Sequence, residues 1–151
     1  MKIIQATFEH LDIITPVLIA YRTHFGQEAN ELATHQFLQE RLQQNDSVIL
    51  LAIDEASNRV AGFTQLYPLF STLKLQRVWL LNDLFVSADF RKGGVASLLV
   101  EAAYQYTLQS GACWLTLKTD VENVKAQALY DKLGFQKDND HFYYYLHSQR
   151  Q

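Results

Sequence analysis

Residues 83–103 read DLFVSADFRKGGVASLLVEAA, a run that starts as a strand and ends as a helix. At the junction Arg91 and Lys92 precede Gly93 and Gly94, and Val95 and Ala96 follow. Glycine lowers the steric cost of a sharp turn and lets another backbone or a ligand approach. The first N–H groups of a helix lack internal acceptors, and the helix dipole adds positive character there. With two basic side chains beside it, such a turn suits an anion, phosphate above all. The spacing is neither GxxxxGK[ST] nor GxGxxG. A glycine-assisted helix start with two solvated basic residues explains the same letters, and the turn alone does not separate the two. A second constellation lies at Asn123, Ala126 and Tyr130. Tyr130 is seven residues beyond Asn123, about two helical turns, so both side chains can project from one side of a helix. Packing of that helix is the plainer role for an isolated tyrosine.

These residues need elements to hold them. Residues 3–8 read as a first strand, followed by a helix through HLDIITPVLIAYRTHFG, with Asp12 as its cap and Gly26 as its stop. Residues 31–43 read as a second helix. Residues 47–54 and 60–70 read as two strands joined by a polar turn, expected to pair as an antiparallel hairpin. Residues 78–86 form the next strand and 94–109 a long helix, with Val95, Leu98, Leu99, Ala102, Ala103 and Tyr106 as its buried stripe. A strand at 112–119, a helix from Asn123 stopped by Gly134, and two short strands at FQKD and HFYYYLH complete the order. This order predicts an α/β fold, a mixed central sheet flanked by helices, in one domain over residues 1–151.

Composition narrows the function classes. Lys plus Arg number 13 and Asp plus Glu number 16, so the chain gives no general reason to expect nucleic acid. The single cysteine, Cys113, excludes an intrachain disulfide framework, and the five scattered histidines make no zinc-ligand spacing, so no metal is expected. No uncharged apolar run is long enough for a membrane span, and the first residues, MKIIQATFEHLD, carry charge too early for a secretion signal. A cytoplasmic location is the expectation.

Two elements of the chain together resemble the GCN5-related N-acetyltransferase family. LFVSADFRKGGVAS fits that family's strand followed by R/Q-x-x-G-x-G/A, with Arg91, Gly94 and Ala96 at the marked positions. NVKAQALYDKLGF fits N-x-x-A-x-x-x-Y with a K-x-G-F ending, through Asn123, Ala126, Tyr130, Lys132, Gly134 and Phe135. The resemblance implies acetyl-coenzyme A as acyl donor and a gap between the fourth and fifth strands that admits the thioester arm. It assigns the backbone of Arg91, Lys92, Gly93, Gly94, Val95 and Ala96 to the pyrophosphate. Asn123 is then expected to position the pantetheine or a nearby strand, and Tyr130 to protonate the departing thiolate. A backbone N–H near Phe85 and Val86 is expected to receive the thioester carbonyl. A weaker resemblance to the diamine acetyltransferase branch rests on the NDLFV stretch; that branch often carries an acid where this chain has Asn82.

Asp83 has three open roles: a base acting through water, a ligand for the substrate ammonium, or a structural group at a strand irregularity. Asn82 and Asp83, with Tyr21, Arg22 and Glu28 of the N-terminal helices, are the candidate acceptor-binding residues. Arg22 would favour a substrate carboxylate and Glu28 an ammonium; solvated surface positions account for both equally. The expected activity is acetyl transfer to a primary amine of a small molecule, a diamine or an amino-acid-like compound, by direct attack. Protein lysine or N-terminal acetylation and a non-catalytic acetyl-coenzyme A-binding domain are the alternatives. The resemblance also implies a homodimer.

Overall fold

The structure, a computed structural model, describes residues 1–149. β1 (Lys2–Gln5) leads through a 3-10 turn at Phe8–His10 into α1 (Leu11–His24) and α2 (Glu31–Gln44). The cap expected at Asp12 is made one turn earlier: His10 Nδ1 accepts the Thr7 N–H at 2.9 Å, and Asp12 lies inside the first turn of α1. The 3-10 turn is what displaces the cap, because it starts the helical path before Leu11. Asn30 caps α2, its side chain accepting the Ala33 N–H at 3.0 Å, and Asn45 closes that helix in the left-handed region at φ 51°.

β2 (Val48–Asp54), β3 (Arg59–Ser71) and β4 (Gln76–Val86) follow as an antiparallel meander. α3 (Val95–Gln109) then returns the chain to β5 (Leu115–Thr116), which runs parallel to β4. The sheet order is β1-β2-β3-β4-β5. Alternation along the strands splits the core into two layers. On one face Ile49, Leu51, Phe63 and Phe85 pack with Leu11, Ile14 and Leu18 of α1 and Leu38 of α2. On the other face α3 buries Val95, Leu99, Val100, Ala103 and Thr107. The stripe of α3 is thus rotated from its expected line: Val100 and Thr107 turn inward, while Leu98 is 42% exposed. Gly62 sits between the layers. A Cβ there would come within 2.4 Å of the Phe85 carbonyl oxygen and 3.3 Å of the Leu99 side chain, so β3, β4 and α3 close on it only as glycine.

β5 is far shorter than the strand expected at 112–119, and the consequence is specific. Trp79 and Leu80 of β4 face Leu115 and Thr116, whereas β4 continues against β3 as far as Val86. The part of β4 beyond Leu80 therefore has β3 on one side and no β5 ladder on the other. This is the opening between the fourth and fifth strands that the family resemblance implies.

Residues 1–118 form one compact unit and the chain from Thr119 onward a second. The second contains α4 (Val124–Lys132). Its start and stop are both locally encoded. Asn123 caps it by accepting the Ala126 N–H at 3.1 Å. At its end Phe135 donates to the Tyr130 carbonyl at 3.0 Å and Gly134, at φ 90°, donates to the Asp131 carbonyl at 3.1 Å. These are the two bonds of a Schellman stop, and the Tyr130 and Phe135 rings, 5.6 Å apart, supply its apolar contact. The two strands expected at FQKD and HFYYYLH are not present among the described residues, which carry no strand after Thr116. The polar turn expected between them does form: Asp138 Oδ1 accepts the Asp140 N–H at 2.8 Å. A strand exists only through its ladder, and periodic apolar letters specify no partner. Among the described residues no helix is long and apolar enough to cross a membrane.

Candidate active site

Asp83 lies on β4 at a break in the ladder. Leu81 pairs with Leu66 and Asp83 with Gln65, so Asn82 is an extra residue with no partner on β3. Such a bulge bends a strand and re-aims its side chains. Asp83 is only 8% exposed, and three neutral donors meet its carboxylate. Tyr21 Oη donates to Oδ1 at 2.9 Å, Asn82 Nδ2 to Oδ1 at 3.1 Å, and Gln65 Nε2 to Oδ2 at 3.1 Å. The Gln65 amide is itself oriented, because Ser47 Oγ donates to its Oε1 at 3.1 Å. Burial raises the Tyr21 hydroxyl pKa well above its ordinary value, and the charge of Asp83 adds to that. Tyr21 therefore stays protonated and remains a donor. The network joins α1, the residue before β2, β3 and β4 around one carboxylate.

The bulge also decides which backbone groups face the opening. Ser87 donates its N–H to the Ala61 carbonyl at 2.9 Å, which fixes that pair as hydrogen-bonded across β3 and β4. By strand alternation Phe85 and Asp83 also turn their backbone groups toward β3, and Leu84 and Val86 turn theirs away. The Val86 carbonyl confirms the direction: it accepts Arg91 Nε at 3.1 Å rather than a β3 donor. Before the bulge the parity is opposite, since Trp79 donates to Trp114 and Arg77 accepts from Cys113 on the β5 side. Of the two residues expected to present a carbonyl-binding N–H, Val86 aims its own at the opening. The Phe85 N–H belongs to the β3 ladder. Leu84, at the start of the stretch that the sequence offered for this role, shares the orientation of Val86. The Phe85 ring is buried with Tyr21 and Phe63 at centroid distances of 5.9 and 6.5 Å, and the Arg91 guanidinium lies 5.8 Å from it.

The turn after β4 is open backbone. A short 3-10 turn at Ala88–Phe90 leads into Arg91, Lys92, Gly93 and Gly94, all exposed. Lys92 at φ 66° and Gly94 at φ 78° lie in the left-handed region, and no atom stands within 4 Å of where a Cβ on Gly94 would point. The first helical bond of α3 runs from the Leu98 N–H to the Gly94 carbonyl at 3.1 Å. The N–H groups of Val95, Ala96 and Ser97 thus lack helical acceptors and point out of the helix start. The groups present fit a pyrophosphate: bare backbone, free donors, the positive end of a helix and adjoining basic residues.

The profile of the acetyltransferase (GNAT) family matches residues 14–135. The chain belongs to the GNAT family. It is an N-acetyltransferase, and acetyl-coenzyme A is the co-substrate of such enzymes. It is 39% identical over 146 residues to the uncharacterized N-acetyltransferase YhfO of Bacillus subtilis (strain 168), covering 97% of each chain. A "probable acetyltransferase" of Haemophilus influenzae is 33% identical over 106 residues, 70% of this chain and 72% of that one. The crystal structure of a "probable acetyltransferase" superposes with a TM-score of 0.94 at 38% identity, covering both chains in full. The GNAT fold expected from the two motifs is thereby the fold of this chain. None of these comparisons singles out the diamine branch.

The remaining candidates divide by what they touch. Tyr21 and Asn82 meet Asp83 directly. Arg22 instead ties the α1–α2 connection, its Nη1 donating to the Glu28 carbonyl at 3.1 Å and to Thr34 Oγ1 at 3.3 Å. Glu28 enters that contact through its backbone and is exposed. Asn123 spends its side-chain oxygen on the α4 cap. Burial raises the Tyr130 hydroxyl pKa, which keeps it a proton donor at neutral pH. Gln65 and Ser47 were not recognisable in the sequence as site residues. Their only signal was a polar letter within an otherwise apolar strand.

Proposed function

We propose that this acetyltransferase transfers the acetyl group of acetyl-coenzyme A to the primary amine of a small molecule by direct attack. The observation that carries this is the pairing, on one short stretch of β4, of a buried carboxylate with two backbone N–H groups facing an unpaired edge. The carboxylate suits an ammonium, and the N–H groups suit a carbonyl oxygen on which negative charge develops.

In this scheme Val86, with Leu84 beside it, binds the thioester oxygen, and the backbone of residues 91–96 binds the pyrophosphate. The acceptor arrives as an ammonium held by Asp83 and loses one proton to water. The free amine attacks, a C–N bond forms and the C–S bond breaks; the thiolate takes a proton from Tyr130, and the second proton of the nitrogen leaves through water, which restores the Tyr130 phenol. Alignment of two bound reactants supplies much of the rate. Asp83 acts as an anchor rather than a base, because all its hydrogen-bond partners are donors that hold it as an acceptor. A homodimer and a cytoplasmic location fit the same scheme without being required by it.

The test is thiol release from acetyl-coenzyme A by the purified protein across alkylamines, diamines, amino acids, aminoglycosides and peptides. Turnover with small amines but not with peptides is expected. Peptide turnover alone would move the assignment to protein acetylation. Tight coenzyme binding with no transfer to any amine would make the chain a binding domain.

A further inference from the structure

Asp83 presents an unbalanced charge. A buried carboxylate is ordinarily paired with a cation, yet all three of its partners are neutral, and among the described residues no cation forms an ion pair with it. Arg41, whose charge reaches the Tyr67 hydroxyl, is already engaged by acids. Arg41 Nε contacts both oxygens of Asp46 at 2.8 and 3.1 Å, and its Nη2 lies 3.8 Å from Glu40. Arg22 is held by Glu28 and Thr34.

A second polar group stands beside this carboxylate. Tyr67 follows Gln65 by two residues on β3, so its side chain is on the same face as Gln65 and Asp83. It is diagonal to Asp83 across the ladder, within reach for a long side chain. β2 begins with Val48 opposite Leu66, so Tyr67 lies just past the part of β3 that β2 covers. Its ring is half-buried, and the field of Asp83 reaches it: burial first and then that charge push its hydroxyl pKa up to about 12. Tyr21 spends its hydroxyl on Asp83, whereas the Tyr67 hydroxyl has no side-chain bond of this kind, and because no buried polar side-chain atom among the described residues lacks a partner, it is open to solvent.

We propose that the Tyr67 hydroxyl is a second anchor for the acceptor's ammonium beside Asp83, and that the pocket takes an amine with no carboxylate on the adjacent carbon. The inference rests on the small-amine reading above and narrows it. One ammonium N–H goes to the Asp83 carboxylate and another to the phenol oxygen, a lone-pair acceptor that stays protonated. A carboxylate next to that nitrogen would stand beside the Asp83 carboxylate and be repelled by its charge.

The test compares ethanolamine with serine and 2-phenylethylamine with phenylalanine as acceptors, in the wild type and in Tyr67→Phe. The amine of each pair is expected to have the higher kcat/KM, by about ten-fold. Tyr67→Phe is expected to raise the amine KM about ten-fold, the loss of one hydrogen bond to a charged group, with the KM for acetyl-coenzyme A unchanged. Serine or phenylalanine used as well as its amine, or an unaltered amine KM in Tyr67→Phe, would overturn the inference. If the wild type acetylates none of them, the small-amine reading fails separately. Binding of the same compounds to the coenzyme A complex, followed by NMR, then decides: weaker amine binding in Tyr67→Phe supports the anchor, and equal or absent binding in both proteins rejects it.

Discussion

Asp83 and Tyr130 are expected to fail in different ways when altered. Asp83→Asn removes the charge but keeps the shape. It should lower kcat/KM for the amine about a hundred-fold, the scale of a lost hydrogen-bonded charge contact, while the pH–rate profile keeps its shape because the amine proton leaves through water. Disappearance of an ionisation from that profile would make Asp83 the base after all. Tyr130→Phe should lower kcat about a hundred-fold or more, the usual range for a general acid, with little change in the KM for acetyl-coenzyme A. Unchanged turnover at saturating substrate would return Tyr130 to a packing role with Phe135. Of these two residues, Tyr130 was readable from a linear pattern. The environment of Asp83 was not, because Tyr21 lies 62 residues away in sequence and Gln65 lies 18.

Among the elements, β4 carries the sharpest expectation. Val86→Pro removes an N–H that no strand uses, so the fold should persist while kcat falls. Phe85→Pro removes a ladder bond to β3 and should unfold the protein instead, since proline is tolerated only where the N–H faces away from the ladder. Activity after Val86→Pro equal to that of the wild type, with coenzyme binding intact, would remove Val86 from carbonyl binding. On α4 the stop is a backbone matter. Gly134→Ala places a Cβ at φ 90° and should cost about 1 kcal/mol or more, read as a lowered Tm. The element order from β1 to α4 was legible through periodicity, caps and glycines. The Asn82 bulge, the two-residue length of β5 and the absence of the last two strands among the described residues were not, because each depends on which strand lies alongside.

At the scale of the whole molecule the buried tyrosines predict how stability depends on pH. The Tyr67 hydroxyl titrates near 10 when unfolded and at about 12 when folded, and Tyr21 is shifted in the same direction. Between those values the unfolded chain has released protons that the folded chain retains, so stability falls as pH rises through that window. The Tyr21→Phe, Tyr67→Phe double variant should therefore show a shallower loss of Tm between about pH 10 and 12; a slope equal to that of the wild type would mean that neither phenol is withheld from solvent. The two interior layers were legible as alternation in β2 to β4 and a helical stripe in α3. The rotation of that stripe, which turns Val100 inward and Leu98 out, was set by the surface it met.

The sequence by itself determined the acyl carrier and the local frames that suit it. The turn at Lys92–Gly94, the Asn123 cap and the Schellman stop at Gly134 all arise from backbone preferences and hydrogen bonds within a few residues, so the letters suffice. Tertiary structure decided the rest: which N–H groups of β4 face the opening, how Asp83 is held, and that Tyr67 stands beside it. Those features depend on ladder register and on burial between distant segments. Neither is written at any single position, because a strand's free edge and a carboxylate's missing cation exist only once the neighbouring elements have been placed.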